Sequence, residues 1–270
     1  MTDQTMSPEG RSPAEEAPGP SGTVEARDSG GRGRRRRVLE VSGSAAGGVR
    51  AHLGDCARLL VRAGHDVIVE APAAVIDGVD LGGARGEPLE IGPRPSPGDP
   101  AAVARLRRLG RRADVVHAHG LRAGALAALA LGRRRSGRTR LVVTLHNLTV
   151  GGRLTRAVGE RLERLVATRA DLVLAVSPDL VERATRCGAK RVEIAVIPAP
   201  PRALTGLAPI ASSVESAWGA EGLRLLTVAR LAPQKGIGLL LDAAAALQVR
   251  AADGEVPAFA WALAGEGPQT

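Results

Sequence analysis

Leu223-Arg-Leu-Leu-Thr-Val-Ala229 runs directly into Arg230-Leu-Ala-Pro-Gln-Lys235-Gly236 and then into an apolar helical stretch. A buried strand that opens through a short loop into a helix presents free backbone N–H groups and the positive end of the helix dipole at one point, an arrangement that suits a phosphate. Arg230 and Lys235 add two fixed charges beside it. The chain has only two lysines, Lys190 and Lys235, among 37 basic residues, so a lysine in this loop is not compositional background. Taken alone, the two charges read equally well as solvated residues at a strand end.

The same strand-to-helix rhythm extends backward through the chain. Near-continuous Val, Ile and Leu runs at Val38 to Ser42, Asp66 to Ala71, Asp114 to Ala118, Leu141 to Leu145, Leu172 to Val176 and Val192 to Ile197 read as strands. Helical stretches fall between most of them, at about Val49 to Ala63, Ala101 to Gly110, Leu121 to Leu131 and Arg153 to Ala170, and again after Ser177-Pro178, a good N-cap and first-turn pair. Strands apolar on both faces and separated by helices predict an α/β fold with a doubly wound parallel sheet.

Residues 1–37 read as a disordered leader that ends in the basic run Arg34 to Arg37. That run is expected to be a solvated lead-in; weak contact with anionic headgroups at a membrane surface is the other use of such charge. Residues 38–200 form the first Rossmann-like domain, 201–222 a Pro- and Ser-containing linker, and 223–270 the opening of a second Rossmann-like unit ending in strand Phe259 to Ala264 and Gly265-Glu-Gly267-Pro268.

Composition removes several function classes. The net charge is +9, but the basic residues are almost all arginine, the usage of a GC-rich genome, so the charge argues only weakly for nucleic acid. Two Trp, one Phe and no Tyr leave no base-stacking platform. A nucleic-acid partner is not expected. Cys56 and Cys187 form no CxxC pair and read as two buried thiols in a reducing compartment. No apolar run reaches the ~18 residues of a membrane span and no secretory segment is present, so the expected location is cytoplasmic.

Ligands of a doubly wound sheet bind beyond the carboxyl ends of its strands. Gly47 and Gly48 follow the first strand there, where a backbone can approach a ligand closely. The chain lacks the GxGxxG fingerprint, which disfavours a dinucleotide dehydrogenase. His117 and His119 close a later strand on one face, and His146-Asn147 closes the next. No Cys and no acidic residue at recognisable ligand spacing accompanies these histidines, so no metal is expected. Hydrogen bonding to a sugar or phosphate is their better use, with structural histidines as the alternative. His52 and His65 read as structural.

Taken in order, Gly47-Gly-Val-Arg-Ala-His52, Ala63-Gly-His65, Asp114-Val-Val-His-Ala-His119, Val143-Thr-Leu-His-Asn147, Ala170-Asp-Leu-Val-Leu-Ala-Val-Ser177, Val228-Ala-Arg-Leu-Ala-Pro-Gln-Lys-Gly236 and Ala264-Gly-Glu-Gly-Pro268 resemble the retaining glycosyltransferases of family four. The resemblance covers roughly Val38 to Pro268. It implies the GT-B fold of two Rossmann domains, the first on the acceptor side and the second binding a nucleotide-sugar donor. It also implies that Gly48, with Gly47 beside it, lies near the donor diphosphate and sugar, that His119 contacts the transferred sugar, and that Arg230 and Lys235 hold the diphosphate. His117, His146 and Ser177 are further candidate substrate contacts. No cofactor or metal is implied, and the acceptor is not identified.

Two departures set further expectations. The family's second domain continues into a pair of glutamates that bind sugar and ribose, a stretch this chain does not contain, so little or no transfer is expected from these 270 residues alone. Pro198-Ala-Pro-Pro201 stands where relatives carry asparagine and glycine, which alters the expected connection between domains. The alternative to an enzyme is a non-catalytic sugar- or acceptor-binding protein of the same fold.

Overall fold

The computed structural model describes residues 34–132, 139–148, 152–197 and 222–267. The leader up to residue 33, the linker from 201 to 221 and the Pro198 to Pro201 segment lie outside the described residues. The chain divides into two compact units, Met1–Ala199 and Pro200–Thr270.

The first unit is a seven-stranded sheet in the order β3-β2-β1-β4-β5-β6-β7, with every pairing parallel. Its strands are β1 Arg37–Ser42, β2 Asp66–Ala71, β3 Arg85–Pro88, β4 Val115–His119, β5 Arg140–Leu145, β6 Leu172–Ala175 and β7 Val192–Ile194. The helices are α1 Gly48–Arg62, α2 Ala73–Ile76, α3 Asp99–Gly110, α4 Leu121–Leu131, α5 Arg153–Arg169 and α6 Pro178–Arg186. The doubly wound α/β reading holds, with several boundaries shifted: Arg37, read as the end of the leader, opens β1, and β6 closes at Ala175. The stretch read as loop beyond Ala71 holds α2 and the edge strand β3. The last strand closes at Ile194, and β4 extends through His119.

Alternation along the strands gives each sheet face its own core. Leu39, Val41, Val116, Ala118 and Val143 point to one face and pack with α3, α4 and α5 residues such as Leu106, Leu126 and Val166. Val38, Val67 and Val69 point to the other, beneath Leu53 and Ala57 of α1. Each buried valine or leucine among them contributes about 1.5–3 kcal/mol by leaving water. With so few aromatics, tight packing has to come from small residues, and α4 is built for it. Ala123, Gly124, Ala125, Ala127 and Ala128 are all buried, and a Cβ on Gly124 would lie 2.7 Å from Val143 Cγ1.

The face under α1 is not wholly apolar. In β1 the residues alternating with Leu39 and Val41 include Glu40 and Ser42, and the register pairs Glu40 with His117 and Ser42 with His119. Two histidines therefore share a face with a carboxylate. Because β1 and β4 are neighbours from which the chain departs in opposite directions, this is the switch point of the sheet, where a crevice opens beyond the strand ends.

In the second unit, β8 Leu223–Val228 and β9 Phe259–Ala264 pair in parallel, connected through a 3-10 turn Pro233–Lys235 and helix α7 Ile237–Ala252. Trp261 Nε1–H donates to Thr227 Oγ1 at 2.9 Å. Among the described residues of this unit only Ala232 and Ile237 are buried, while Leu226, Val228, Leu239 and Leu241 are exposed. No helix among the described residues is long and apolar enough to cross a membrane.

Candidate active site

Glu40 is the centre of the first unit's site. Its carboxylate is fully buried, and Oε2 accepts from His119 Nε2 at 2.7 Å and from His117 Nδ1 at 3.1 Å. The far nitrogen of His117 lies 2.8 Å from Thr144 Oγ1. Thr144 reaches this point because β5 pairs it with His119 across the sheet. Two further imidazoles close on His119. His52 of α1 meets it edge-on with ring centroids 5.4 Å apart, and His146 lies nearly parallel to it at 5.9 Å. His117 lies 4.2 Å from His119 by the same measure. The Cys56 sulfur, one turn after His52, is 3.5 Å from His52 Nε2.

The electrostatics divide these groups sharply. Burial alone would raise the Glu40 carboxyl, but the charge and hydrogen bond of His117, with those of His119, outweigh it and hold Glu40 at about 2. His117 is part-buried, and although desolvation opposes its charge, the Glu40 charge and hydrogen bond raise it above the usual imidazole range. Burial and the neighbouring His117 charge lower His119. Burial, with the other imidazoles, brings His146 down to about 4, and His52 is lowered chiefly by burial. Burial, assisted by the Glu40 charge, pushes the Cys56 thiol up to about 12. Within the cluster Glu40 thus favours the charged form of His117, while His119, His146 and His52 are pushed toward the neutral form.

The state of His119 follows. A carboxylate only accepts, so the His119 proton stands on Nε2 and Nδ1 carries a bare lone pair. That Nδ1 is buried without a hydrogen-bond partner, as is His146 Nε2. An acceptor of this kind takes a hydroxyl and rejects a phosphate oxygen.

Gly47 and Gly48 lie at the mouth of the same switch point, where β1 turns into α1. Gly47 has φ 56° and ψ −126°, in the half of the map open mainly to glycine, and caps α1 without a side chain. Beyond both glycines there is open space, with nothing within 4 Å of where a Cβ would stand. The first N–H groups of α1 have no intrahelical partner and face that opening. Ser177 precedes α6 in extended backbone and makes no capping bond with its side chain. Its hydroxyl instead meets the Asp179 carboxylate and lowers its pKa. The N-cap expectation for Ser177 is corrected on this point: the position is the cap, but the hydroxyl is turned to a neighbouring side chain.

In the second unit Arg230 and Lys235 are exposed on the loop between β8 and α7 and form no ion pair among the described residues. Gly236 takes the left-handed conformation, φ 62° and ψ 35°, that starts α7 directly behind Lys235. The glycines of Gly265-Glu-Gly267 have a structural use. A Cβ on Gly265 would lie 1.8 Å from Ala229 O and one on Gly267 2.0 Å from Leu231 O. The two strand-end loops are hydrogen bonded there through Leu231 N–H to Glu266 O at 3.0 Å.

Several site residues were not legible from spacing. The histidines read as having no Cys or acidic companion in fact have both, in Cys56 and Glu40. His52, read as structural, belongs to the cluster. The two cysteines are half-buried and free, not fully buried. The one available signal was Glu40 itself, a lone carboxylate inside the apolar run Val-Leu-Glu-Val, since a charge in a doubly covered strand needs partners.

Residues 47–200 match the family described as the glycosyl transferase 4-like domain, and the chain belongs to that family. Among solved structures it is similar to Anabaena Alr3699/HepE in complex with UDP, with a TM-score of 0.59 at 20% identity over 86% of this chain and 61% of that one. The same protein in complex with UDP-glucose gives a TM-score of 0.55 at 18% identity, covering 78% and 57%. A glycosyltransferase from Rickettsia africae ESF-5 gives 0.57 at 18% identity, covering 86% and 61%. These likenesses establish a Rossmann-like α/β fold of GT-B type. The chain spans about three fifths of the length of these neighbours. A search of curated proteins returned no match.

Proposed function

We propose that this chain serves the transfer of a sugar, with retention of anomeric configuration, from a nucleotide-sugar donor to a hydroxyl-bearing acceptor, with little or no turnover expected from these 270 residues alone. The observation that carries the reading is His119, a neutral imidazole presenting a bare Nδ1 at the sheet's switch point in a member of a glycosyltransferase family. In this reading Nδ1 accepts a hydroxyl of the transferred sugar, and the turn at Gly47 and Gly48 admits the donor diphosphate to the α1 N-terminus. The UDP and UDP-glucose complexes of the Anabaena neighbour support a donor of this class. His117 serves through its ion pair with Glu40, while His146 and Ser177 border the acceptor.

As the bond from the anomeric carbon to the diphosphate breaks, the leaving oxygen keeps the electron pair and gains negative charge. Arg230 and Lys235 are fixed cations for that charge, and stabilisation that grows in the transition state accelerates the step. The acceptor oxygen forms the new bond and releases its proton. No metal is required for this chemistry.

Calorimetric titration with UDP tests donor binding. Wild type is expected to bind, and Lys235→Ala or Arg230→Ala to weaken binding at least tenfold, about 1.4 kcal/mol. Absence of any UDP heat in the wild type would instead favour the non-catalytic acceptor-binding protein. Turnover of UDP-glucose, with the product anomer read by NMR, tests transfer and retention.

A further inference from the structure

Helix α3 ends at the amino edge of the sheet, where the chain turns into β4, at the opposite end of that strand from His119. Arg107, Arg108, Arg111 and Arg112 are all exposed there, and with Ala104 they line an open groove of about 340 Å³. We propose that this groove binds a small, multiply charged phosphate anion at a site separate from the donor site.

Arginine is common throughout this chain, and what sets these four apart is their position and their lack of partners. The helix dipole favours a cation in a last turn. Other helices of the unit use that device sparingly: α1 and α5 each have one arginine in the last turn, and of the two in α6 Arg183 is paired with Glu160 and Glu163. At the end of α3 four arginines converge, and none forms an ion pair among the described residues. Glu70 lies within reach of the Arg108 charge, but its two oxygens are held by Arg105 at 2.7 and 3.0 Å. Arg107 and Arg111 stand four residues apart, as do Arg108 and Arg112, and like charges at that spacing on a helix repel. An anion seated among them replaces that repulsion with attraction.

The groove is also partly built in advance. Arg107 Nε–H donates to Ala130 O at 3.0 Å and its Nη2 to Leu129 O at 3.4 Å, two carbonyls in the last turn of α4. These bonds fix one guanidinium and leave its remaining N–H groups for a ligand. A guanidinium fork grips two phosphate oxygens at once, so several forks around one groove select an anion with many oxygens and more than one charge. The lining holds no aromatic ring on which a base could stack, and its cations face one hollow. Both features favour a soluble phosphate compound over a nucleic acid or a lipid surface.

Calorimetric titration with inorganic pyrophosphate tests the site, in the full chain carrying Arg230→Ala and Lys235→Ala. Both proposed donor cations are then absent, so the result does not depend on the donor reading. Binding at one equivalent is expected. Adding Arg108→Ala and Arg112→Ala should weaken it by about tenfold or more. Adding Arg108→Lys and Arg112→Lys instead, which keeps the charge and removes the forks, should weaken it by a smaller, measurable factor. Arg161→Ala with Arg164→Ala, two exposed arginines of α5, removes the same charge elsewhere and should leave affinity unchanged. Circular dichroism checks that each variant folds, and the lysine pair decides if the alanine pair does not. No pyrophosphate binding by the folded protein, affinity unchanged by the α3 substitutions, or an equal loss from the α5 pair overturns the proposal. So does binding to phosphatidylglycerol vesicles without binding to pyrophosphate, which would make the patch a surface-docking face.

Discussion

Gly47 and Gly48 are adjacent, yet the fold asks different things of them. Gly47 needs the left-handed half of the map, so Gly47→Ala should lower stability by about 1–2 kcal/mol, measured by urea unfolding. Gly48 is the first residue of α1, and no atom lies where its Cβ would go. Gly48→Ala should therefore leave stability unchanged or raise it slightly, since alanine is the better helix former. If the loop admits a diphosphate, the same methyl group should weaken UDP binding; equal UDP affinity in wild type and Gly48→Ala would remove Gly48 from the donor site. Sequence placed both glycines at the end of a strand, but only the backbone angles separate a conformational glycine from one that keeps space open. Glu40 carries the complementary lesson. Its identity was plain, while its partners lie in β4, far along the chain, and no local pattern links them.

At the scale of elements, two contacts hold α4 in place beside the site. Arg122 at its start reaches Asp99 at the start of α3, with 2.9 Å to each carboxylate oxygen, and also the carbonyls of Gly92 and Arg94. Burial opposes ionisation of Asp99, but the Arg122 and Ser96 hydrogen bonds outweigh it and lower its pKa. A carboxyl lowered in the folded state stabilises above its unfolded pKa and loses that contribution as pH falls through the folded one. Asp99→Asn should therefore cost about 1 kcal/mol at neutral pH, a charged hydrogen bond discounted for its part exposure. The deficit should shrink toward zero as acid titrates the wild-type pair, a trend that thermal melts across pH would reveal. Gly124 tests the opposite side of the helix. A larger side chain would strike Val143, so Gly124→Val should destabilise by about 1–3 kcal/mol, and a melting temperature at or above wild type would show that α4 can back away from the sheet. The elements themselves were legible through apolar runs and their punctuation. The edge strand β3, reading Arg-Gly-Glu-Pro, and the single-turn α2 were not, because neither carries an apolar period of its own.

For the whole molecule, the two units differ in how much they bury. The first has cores on both sheet faces, whereas the described part of the second has two strands, one helix and several exposed leucines and valines. Hydrogen exchange should accordingly find the amides of Leu223–Val228 far less protected than those of Arg37–Ser42, and comparable protection would mean that the second unit is as cooperative as the first. The amino-acid sequence by itself determined the parallel α/β sheet, the residues that stand at its carboxyl edge, and the strand-to-helix loop carrying Arg230 and Lys235, because these depend on period, punctuation and order along the chain. Only the tertiary structure decided that Glu40, His52 and Cys56 join His117, His119 and His146 in one cluster. Strand register and the seat of α1 on the sheet are long-range packing outcomes, and they alone set which charges share a buried space and which nitrogen of His119 is left open.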